Sequence, residues 1–343
     1  MPTPDPSDFD RDVDDSMRLF ERAHVGPAAP LQPIRPGRVL LVLDGSDQDQ
    51  TSIGAALTCR ERFNTETLVL DARDAGLTAL DSQATDGSQP AKYEAAGPGE
   101  TSAPSRLAVA AAEQVSGARA ITRAAGESFE AILASLRVHQ VDLVIVPCPY
   151  GRSFDQVGID SVGTVIDVLL NRCSIPFLVI RRGDQDLEEA CRRVSVLIGS
   201  ECDVEQKAAA WAFGLAAPKS EISLNLVVEQ EHYENVRSIV EALRPGETFE
   251  IEKLSDMLTQ THRQLHGAMS KTATSMGHFY HLLPQAGAKA PPNPLSNRSQ
   301  QLLVLPLEVD DRFAQGFVHD RIRRSPHPVL VIPTHVRQDE GRR

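Results

Sequence analysis

The sequence predicts an α/β protein with two tandem, open, parallel five-stranded sheets, each carrying helices on both faces. Two observations lead to this fold class. Short, continuous apolar runs alternate with segments of helical composition, which is the pattern of strands buried in a parallel sheet. The strand pattern of the first half then recurs, in the same order, in the second half. At 343 residues the chain also exceeds the length that one hydrophobic core usually serves, so we expect two domains.

The first predicted strand begins at Arg38, where the apolar run RVLLVLDGS ends in a turn signal. Helical composition over Thr51–Phe63 and a second strand over Glu66–Ala72 follow. In the later segment Ser128–Gln140, apolar residues recur at the spacing of one helix face. The remaining elements predicted for this half are a helix over Arg106–Val115, a strand over Ala118–Arg123, a strand over Val141–Pro149, a helix over Gly163–Arg172 and a strand over Pro176–Arg182.

Three of these strand sequences have counterparts later in the chain, in the same order and at nearly the same separation. RVSVLIGSE from Arg193 matches RVLLVLDGS from Arg38, QLLVLPLE from Gln301 matches DLVIVPCP from Asp142, and HPVLVIP from His327 matches IPFLVIR from Ile175. Matched strands in one order indicate an internal duplication. The sequence therefore predicts a repeated α/β unit.

The composition places the domain boundaries. Residues 1–36 are acidic and rich in proline, and we expect them to form a disordered arm. The first domain covers residues 37–183 and contains a flexible Gly-, Ala-, Ser- and Pro-rich insertion at residues 75–105. An acidic connector precedes the second domain, which covers residues 192–335.

Charge and apolar content exclude several function classes. A net charge of −12 with no extended basic face argues against nucleic acid as a partner. No apolar run approaches the roughly 18 residues that a membrane span needs, and the N-terminus has no secretory pattern. The odd number of cysteines, five, without a CxxC pair is typical of reduced thiols. We therefore expect a cytoplasmic protein that binds neither membrane nor nucleic acid.

Common catalytic motifs are missing from the sequence. There is no GxSxG nucleophile elbow, no GxxxxGK[ST] loop and no GxGxxG following a strand. We therefore do not expect an enzyme, although slow hydrolysis of ATP stays open. His262 and His266 have the i, i+4 spacing of two metal ligands, but ordinary packing histidines are the favoured interpretation, and no metal site is predicted. Cys148 lies at the end of the fourth predicted strand, and we interpret it as a buried structural cysteine.

A recognisable pattern is formed by Val39–Ser46 (VLLVLDGS), Leu143–Pro147 (LVIVP), Gly163–Thr164 and Pro176–Arg181 (PFLVIR). With these segments the chain resembles the universal stress protein family, in a tandem two-domain arrangement. The resemblance covers most of residues 38–182 and, more weakly, residues 193–334. It implies an open five-stranded parallel sheet of the adenine nucleotide alpha hydrolase-like type in each domain.

This resemblance implies a nucleotide site in the first domain. Members that bind ATP carry the pattern G-x2-G-x9-G-(S/T) after the fourth strand, and an Asp after the first strand that bonds the nucleoside. Glycines let the backbone approach phosphate, and the helix start supplies free N–H groups. The resemblance therefore implies ATP or a related nucleotide, with Mg²⁺, in this domain only. The implied binding residues are Asp44, Gly45, Ser46, Pro147, Gly151, Arg152, Gly163 and Thr164.

The phosphate loop departs from the family pattern, which leaves a second hypothesis open. Gly151 is one residue late, the second glycine is missing, and Asp155 and Asp160 would repel phosphates, an effect that Arg152 partly offsets. The alternative is a loop that merely closes a turn, in a nucleotide-free module for protein–protein signalling.

The second domain is expected to be degenerate. Its first strand is followed by Gly199 rather than an Asp, and the segment between its two strand prolines, Pro306 and Pro328, is shorter than in the first domain. The resemblance implies that the final strands, Pro176–Arg181 and Pro328–Ile332, are sheet edges that pair with each other. This pairing would form an intramolecular pseudo-dimer, and the chain would be a monomer or a simple homodimer.

Overall fold

The computed structural model describes most of the chain as a mixed α/β fold. The described residues are 28–73, 103–152, 154–158, 161–199, 202–243, 248–288 and 300–334. The predicted arm up to residue 27 and nearly all of the predicted 75–105 insertion lie outside these residues. No helix within the described ranges is long and apolar enough to cross a bilayer.

The first half of the chain contains five strands and five helices within the described residues. The strands are β1 (Arg38–Leu43), β2 (Glu66–Asp71), β3 (Arg119–Ile121), β4 (Leu143–Pro147) and β5 (Phe177–Ile180). The helices are α1 (Gln48–Phe63), α2 (Arg106–Gln114), α3 (Ser128–His139), α4 (Phe154–Val157) and α5 (Thr164–Arg172). Every element predicted for this half has a counterpart, and the short α4 is additional.

The second half repeats the alternation and adds two helices after its second strand. Its strands are β6 (Arg193–Ile198), β7 (Glu221–Glu229), β8 (Phe279–Ala288), β9 (Leu302–Leu307) and β10 (Val329–Pro333). Its helices are α6 (Leu187–Ala190), α7 (Glu205–Leu215), α8 (Gln230–Leu243), α9 (Ile251–Thr261), α10 (Arg263–Met276) and α11 (Arg312–Arg324). The additional helices α8 and α9 enclose a small core of their own around Tyr233, Phe249 and Leu254.

All ten strands form a single sheet in the order β3-β2-β1-β4-β5-β10-β9-β6-β7-β8. Read outward from the centre, the second half has the same strand order as the first. Neighbouring strands are parallel within each half, whereas β5 and β10 pair antiparallel, with Val179 opposite Val329 and Phe177 opposite Val331. The predicted pairing of the final strands is therefore present. It joins the two expected sheets into one continuous sheet, because each strand supplies the hydrogen-bonding edge that the other lacks.

Each face of the sheet buries a hydrophobic core that includes residues of both halves. On one face Leu41 and Ile180 belong to the same cluster as Val196 and Leu330. The cluster on the opposite face likewise contains residues of β1 and β5 together with residues of β9 and β10. Apolar burial therefore stabilises the junction between the halves as well as each half.

Residues 28–36, expected to be disordered, lie in extended conformation across the second half. The Leu31 N–H donates to Thr272 Oγ1 of α10 (2.7 Å), and the Ile34 N–H donates to the Ala210 carbonyl of α7 (3.0 Å). The Lys271 ammonium donates to the Ala28 carbonyl (2.8 Å). The expectation was wrong for these residues, because helices of the second half provide partners for their backbone groups. We call residues 28–36 the N-terminal strap.

Candidate functional site

The candidate site lies at the carboxyl ends of β1 and β4. From β1 the chain proceeds to β2 and β3 on one side of the sheet, whereas β4 and β5 lie on the other side. Open α/β sheets bind ligands in the crevice at such a switch in strand order. Asp44 directly follows β1, and the loop that follows β4 leads through α4 to the start of α5 at Thr164. The fold therefore brings the predicted site residues to one edge of the sheet.

The Asp44 carboxylate is already bonded to the protein's own backbone. Asp44 is buried, and its Oδ1 accepts a hydrogen bond from the Ser46 N–H at 2.9 Å. Its Oδ2 accepts one from the Gly151 N–H at 2.6 Å. The structure thus brings together three of the predicted site residues, and both carboxylate oxygens of Asp44 have partners in the chain.

Tyr150 fills the crevice between the strand ends. Its hydroxyl donates to the Leu43 carbonyl at 3.4 Å, and it also hydrogen-bonds the Ser128 side chain at the start of α3. Burial, and then the nearby Asp44 carboxylate, raise the pKa of Tyr150 well above its usual range. The hydroxyl therefore stays neutral. Tyr150 and Gly151 thus both adjoin Asp44, the residue that the resemblance assigns to the nucleoside.

A second carboxyl group, Asp49, supports the turn after β1. Its Oδ1 accepts from the Asp44 N–H (3.1 Å) and its Oδ2 accepts from the Gly45 N–H (2.9 Å). Burial, reinforced by the charge of Asp44, raises the pKa of Asp49 to about 7. Two carboxyl groups this close in a buried site favour holding a proton between them. Sequence analysis did not select Asp49, which lies on α1 behind the predicted motif.

An ion pair at the end of β2 covers the neighbouring glycine. The Arg73 guanidinium contacts both oxygens of Asp71, at 3.0 Å and 2.9 Å. Burial raises the pKa of Asp71, but hydrogen bonds from Arg73 and Ser105 outweigh it and hold the pKa below its ordinary value. A Cβ at Gly45, where φ is +77°, would lie 2.9 Å from the Arg73 side chain. The Arg73 guanidinium therefore lies over Gly45 and is paired with the Asp71 carboxylate.

Gly163 and Thr164 begin α5 as the resemblance implies. Gly163 has φ of +84°, a conformation that side-chain-bearing residues rarely adopt. Its N–H donates to Ser161 Oγ at 3.0 Å, and a Cβ there would lie 3.4 Å from the Tyr150 nitrogen. Thr164 is exposed. One of the two N–H groups expected to meet phosphate is thus already bonded to the loop itself.

The remaining predicted site residues are peripheral to this hydrogen-bond network. Pro147 is buried at the end of β4, and Arg152 is exposed, its N–H donating to the Pro149 carbonyl at 3.4 Å. Asp155 lies on α4, and Asp160 falls outside the described residues. The structure therefore places Asp44, Gly45, Ser46 and Gly151 in one network and leaves Arg152 and Thr164 exposed.

A fully buried arginine links this loop to the second half. The Arg181 guanidinium donates to the Gly158 carbonyl (2.7 Å) in the loop and to the Ile322 carbonyl (3.1 Å) of α11. Its guanidinium also lies over the Phe154 ring, 5.2 Å from the ring centroid. Burial lowers the pKa of Arg181. The closed conformation of the loop is therefore tied to the junction between the halves.

The corresponding place in the second half is closed by side chains. Gly199 follows β6 where Asp44 follows β1, and a Cβ there would lie 3.0 Å from the Phe317 ring of α11. Residues 308–311 alone separate β9 from α11, and the Asp311 carboxylate accepts from the Phe313 N–H at 2.8 Å. A carboxylate thus caps the helix start where a phosphate would have to bind.

The structure gives other partners to the remaining candidate groups. His262 hydrogen-bonds the Glu205 carboxylate and His266 the Tyr280 hydroxyl, each at 3.0 Å. The described residues contain no cluster of three or more side chains that could hold a metal ion. The Cys148 thiol donates to the Val162 carbonyl at 3.3 Å, and burial raises its pKa to about 12. A thiol with so high a pKa stays protonated and unreactive near neutral pH.

Solved structures with the same fold include a universal stress protein from Archaeoglobus fulgidus DSM 4304. It aligns with a TM-score of 0.51 and 14% identity over 87% of this chain and 96% of its own. The chain has the universal stress protein fold. A protein of unknown function from Pseudomonas aeruginosa PAO1 aligns with a TM-score of 0.48 and 12% identity, over 87% of this chain and 93% of its own. No protein-family model and no curated protein sequence matches the chain.

Proposed function

We propose that this protein is a nucleotide-free stress-response module that acts through protein–protein contacts. The observation that carries the proposal is the bonding of Asp44: both of its oxygens accept backbone N–H groups, and Tyr150 fills the crevice beside it. The Asp44 carboxylate, which would otherwise recognise a nucleoside, instead holds the loop after β4 in place through the Gly151 N–H. Under this proposal neither half catalyses a reaction.

The charge of the crevice supports the same conclusion. Asp44 and Asp71 lie at the carboxyl ends of β1 and β2, Asp49 lies in the first turn of α1, and the neighbouring Arg73 is paired with Asp71. A triphosphate would enter a region where carboxylates predominate, on a chain of net charge −12. The exposed Arg152 of the loop after β4 would offset these carboxylates only in part.

We further propose that the second half serves as a built-in partner, so that the chain is an intramolecular pseudo-dimer. The antiparallel pairing of β5 with β10 supports this, because these strands hold equivalent places in the two halves. The proposed compartment is the cytoplasm, since all five cysteines are free thiols and four of them are buried.

A second candidate function is the binding of ATP or a related nucleotide, with Mg²⁺, in the first half. It is favoured by the start of α5, where Gly163 has the backbone conformation that a phosphate loop needs and Thr164 is exposed. The loop after β4 would first have to release Asp44. The proposed binding residues would then be Asp44, Gly45, Ser46, Pro147, Gly151, Arg152, Gly163 and Thr164.

The proposed function is tested by denaturing freshly purified protein and identifying any released nucleotide by mass spectrometry. We expect no stoichiometric nucleotide from the wild-type chain, and recovery of one nucleotide per chain would overturn the proposal. The Tyr150→Ala variant tests the second candidate, because it empties the crevice while leaving Asp44 in place. Gain of Mg-ATP binding by this variant, lost again in Tyr150→Ala/Asp44→Ala, would support a latent site.

A further inference from the structure

The N-terminal strap contacts the second half with every third residue. Leu31 and Ile34 are partly buried and pack against the hydrophobic core, and Ala28 lies against Gly267 of α10. The exposed residues of the strap are Ala29, Pro30, Gln32, Pro33 and Arg35. A repeat of three belongs neither to an α-helix nor to a β-strand. It is the repeat of a polyproline II helix, which has three residues per turn.

The amino-acid sequence of the strap favours the same conformation. Its three prolines, Pro30, Pro33 and Pro36, each fix their own φ at about −65°. Each proline also restricts the residue before it to the extended region of backbone conformation. No residue of the strap has a positive φ. The strap therefore combines the repeat and the backbone restrictions of a polyproline II helix.

The helices beneath the strap hold its backbone in place. The Leu31 N–H donates to Thr272 Oγ1 at 2.7 Å, and the Ile34 N–H donates to the Ala210 carbonyl at 3.0 Å. The Ile34 carbonyl lies so close to α7 that only a glycine fits at position 214. The strap is thus ordered before any partner binds, and a partner does not have to meet the entropic cost of ordering it.

Two of the three ridges of the strap face solvent. One ridge carries Pro30 and Pro33, and the other carries Ala29, Gln32 and Arg35. Each exposed proline ring therefore stands beside the exposed residue that precedes it. This is the surface that grooves for PxxP segments recognise: such grooves are lined by aromatic side chains and bind a preformed polyproline II helix.

Arg35 adds a positive charge to this surface. It is exposed, and its guanidinium lies over the Phe63 ring of α1, 6.0 Å from the ring centroid. The chain as a whole has a net charge of −12, so a cation beside the two prolines distinguishes this surface from most of the molecule. An acidic side chain next to an aromatic-lined groove would pair with it and fix the direction in which the strap is read.

We propose that the strap is a docking ridge for another protein, whose aromatic-lined groove binds Pro30 and Pro33 and whose acidic side chain pairs with Arg35. Leu31 and Ile34 stay on the helices in the complex, because they occupy the ridge that points away from the groove. This binding mode rests on the proposed role of the chain in protein–protein contacts. It does not depend on the state of the crevice at Asp44.

Titration of the full-length protein with a purified SH3 domain tests this recognition. The probe is a domain whose groove is lined by aromatic rings and flanked by acidic side chains. We expect saturable binding that Pro33→Ala weakens by about tenfold or more. Pro218→Ala, at an exposed proline after α7, should leave it unchanged. Arg35→Glu should also weaken it, and more at low than at high ionic strength.

Amide hydrogen exchange of the complex shows which form of the strap is bound. The Leu31 and Ile34 amides keep their bonds to α10 and α7 in the proposed mode, so their exchange should stay slow. Gly214→Ala displaces the strap and should weaken binding, because the released segment must then be ordered by the partner.

Four results would overturn the docking ridge. They are no binding with a dissociation constant below about 1 mM, unchanged binding by Pro33→Ala, faster exchange of both amides in the complex, and binding by Gly214→Ala as tight as that of wild type. A chain that fails these tests and carries no nucleotide would still fit the proposed function. Recovery of bound nucleotide, in contrast, would overturn the proposed function and leave the ridge in place.

Discussion

Asp44 and Asp49 form the buried carboxyl pair on which the turn after β1 depends. Together they accept four backbone N–H groups, from Asp44, Gly45, Ser46 and Gly151. The four N–H groups stabilise one negative charge on the pair. A second negative charge in the same buried space is unfavourable in free energy. Proton binding at this pair therefore affects the stability of the fold.

The raised pKa of Asp49 predicts a loss of stability as the pH rises. In the unfolded chain Asp49 releases its proton near pH 4, whereas in the folded chain it keeps the proton until about pH 7. The folded state thus binds more protons between these values, so the free energy of unfolding falls as the pH rises through this window. We expect Asp49 to account for a decrease on the order of 4 kcal/mol, complete by about pH 8.

Urea unfolding between pH 4 and pH 8 measures this effect. Asp49→Asn should flatten the pH dependence relative to wild type, since the amide does not titrate. Asp310→Asn, at an exposed aspartate, should leave the profile unchanged. If the Asp49→Asn and wild-type profiles are parallel across this range, the shared proton is not at Asp49.

Sequence reasoning selected the residues of the candidate site but not the residues that hold its loop in place. Asp44 and Gly163 were predictable, because the sequence alone shows that an Asp follows the first strand and that a glycine precedes a helix. The role of Tyr150 was not, since it depends on the loop folding back over β1. Arg181 was read as the end of a strand, and its burial follows from α11, which lies far along the chain.

The N-terminal strap is the element that sequence patterns concealed. Extended segments that bond to helices have neither helical nor strand periodicity, so residues 28–36 resembled a disordered arm. Strands and long helices were predictable from their apolar runs, as α3 illustrates with its apolar stripe and its Glu127–Glu130 capping box. The added helices α8 and α9 were not predicted, because the match of strands between the halves carries no information about segments that the first half lacks.

A glycine in α7 tests the docking of the strap. A Cβ built on Gly214 would lie 1.6 Å from the Ile34 carbonyl oxygen, so any side chain must displace the strap. We expect Gly214→Ala to reduce the free energy of unfolding by about 1–3 kcal/mol, even though alanine favours helix.

Gly54→Ala in α1 is the matched control for this substitution. A Cβ there meets nothing within 4 Å, so the control should be neutral or stabilising by about 1 kcal/mol. Chemical denaturation of both variants distinguishes the two cases. Equal stabilisation by both substitutions would mean that the strap is not seated on α7 in solution.

At the scale of the whole molecule, the two halves share one sheet and two faces of apolar core. Arg62 of α1 also donates to the Ala216 carbonyl beyond α7, at 2.7 Å. The fold class was predictable because each half carries its own alternation of strand and helix signals. The continuity of the sheet was expected only from the resemblance. The apolar pattern of an edge strand does not indicate which other strand it pairs with.

This continuity predicts that the halves unfold together. The single tryptophan, Trp211, is buried in the second half and reports on it alone, whereas far-ultraviolet circular dichroism reports on both halves. We expect the two signals to give coincident denaturation curves, because loss of either half exposes the β5–β10 edge and both cores. Two separated transitions would show that the junction contributes little to stability.

The central claim, that the one recognisable nucleotide site is closed by the protein's own loop, is tested most directly by titration of the wild-type chain. Isothermal titration calorimetry with Mg-ATP should give no heat beyond dilution, because Asp44 is bonded to Ser46 and Gly151 and Tyr150 fills the crevice. A saturable one-to-one isotherm with a dissociation constant below about 100 μM, or about 5 kcal/mol of binding free energy, would contradict the claim.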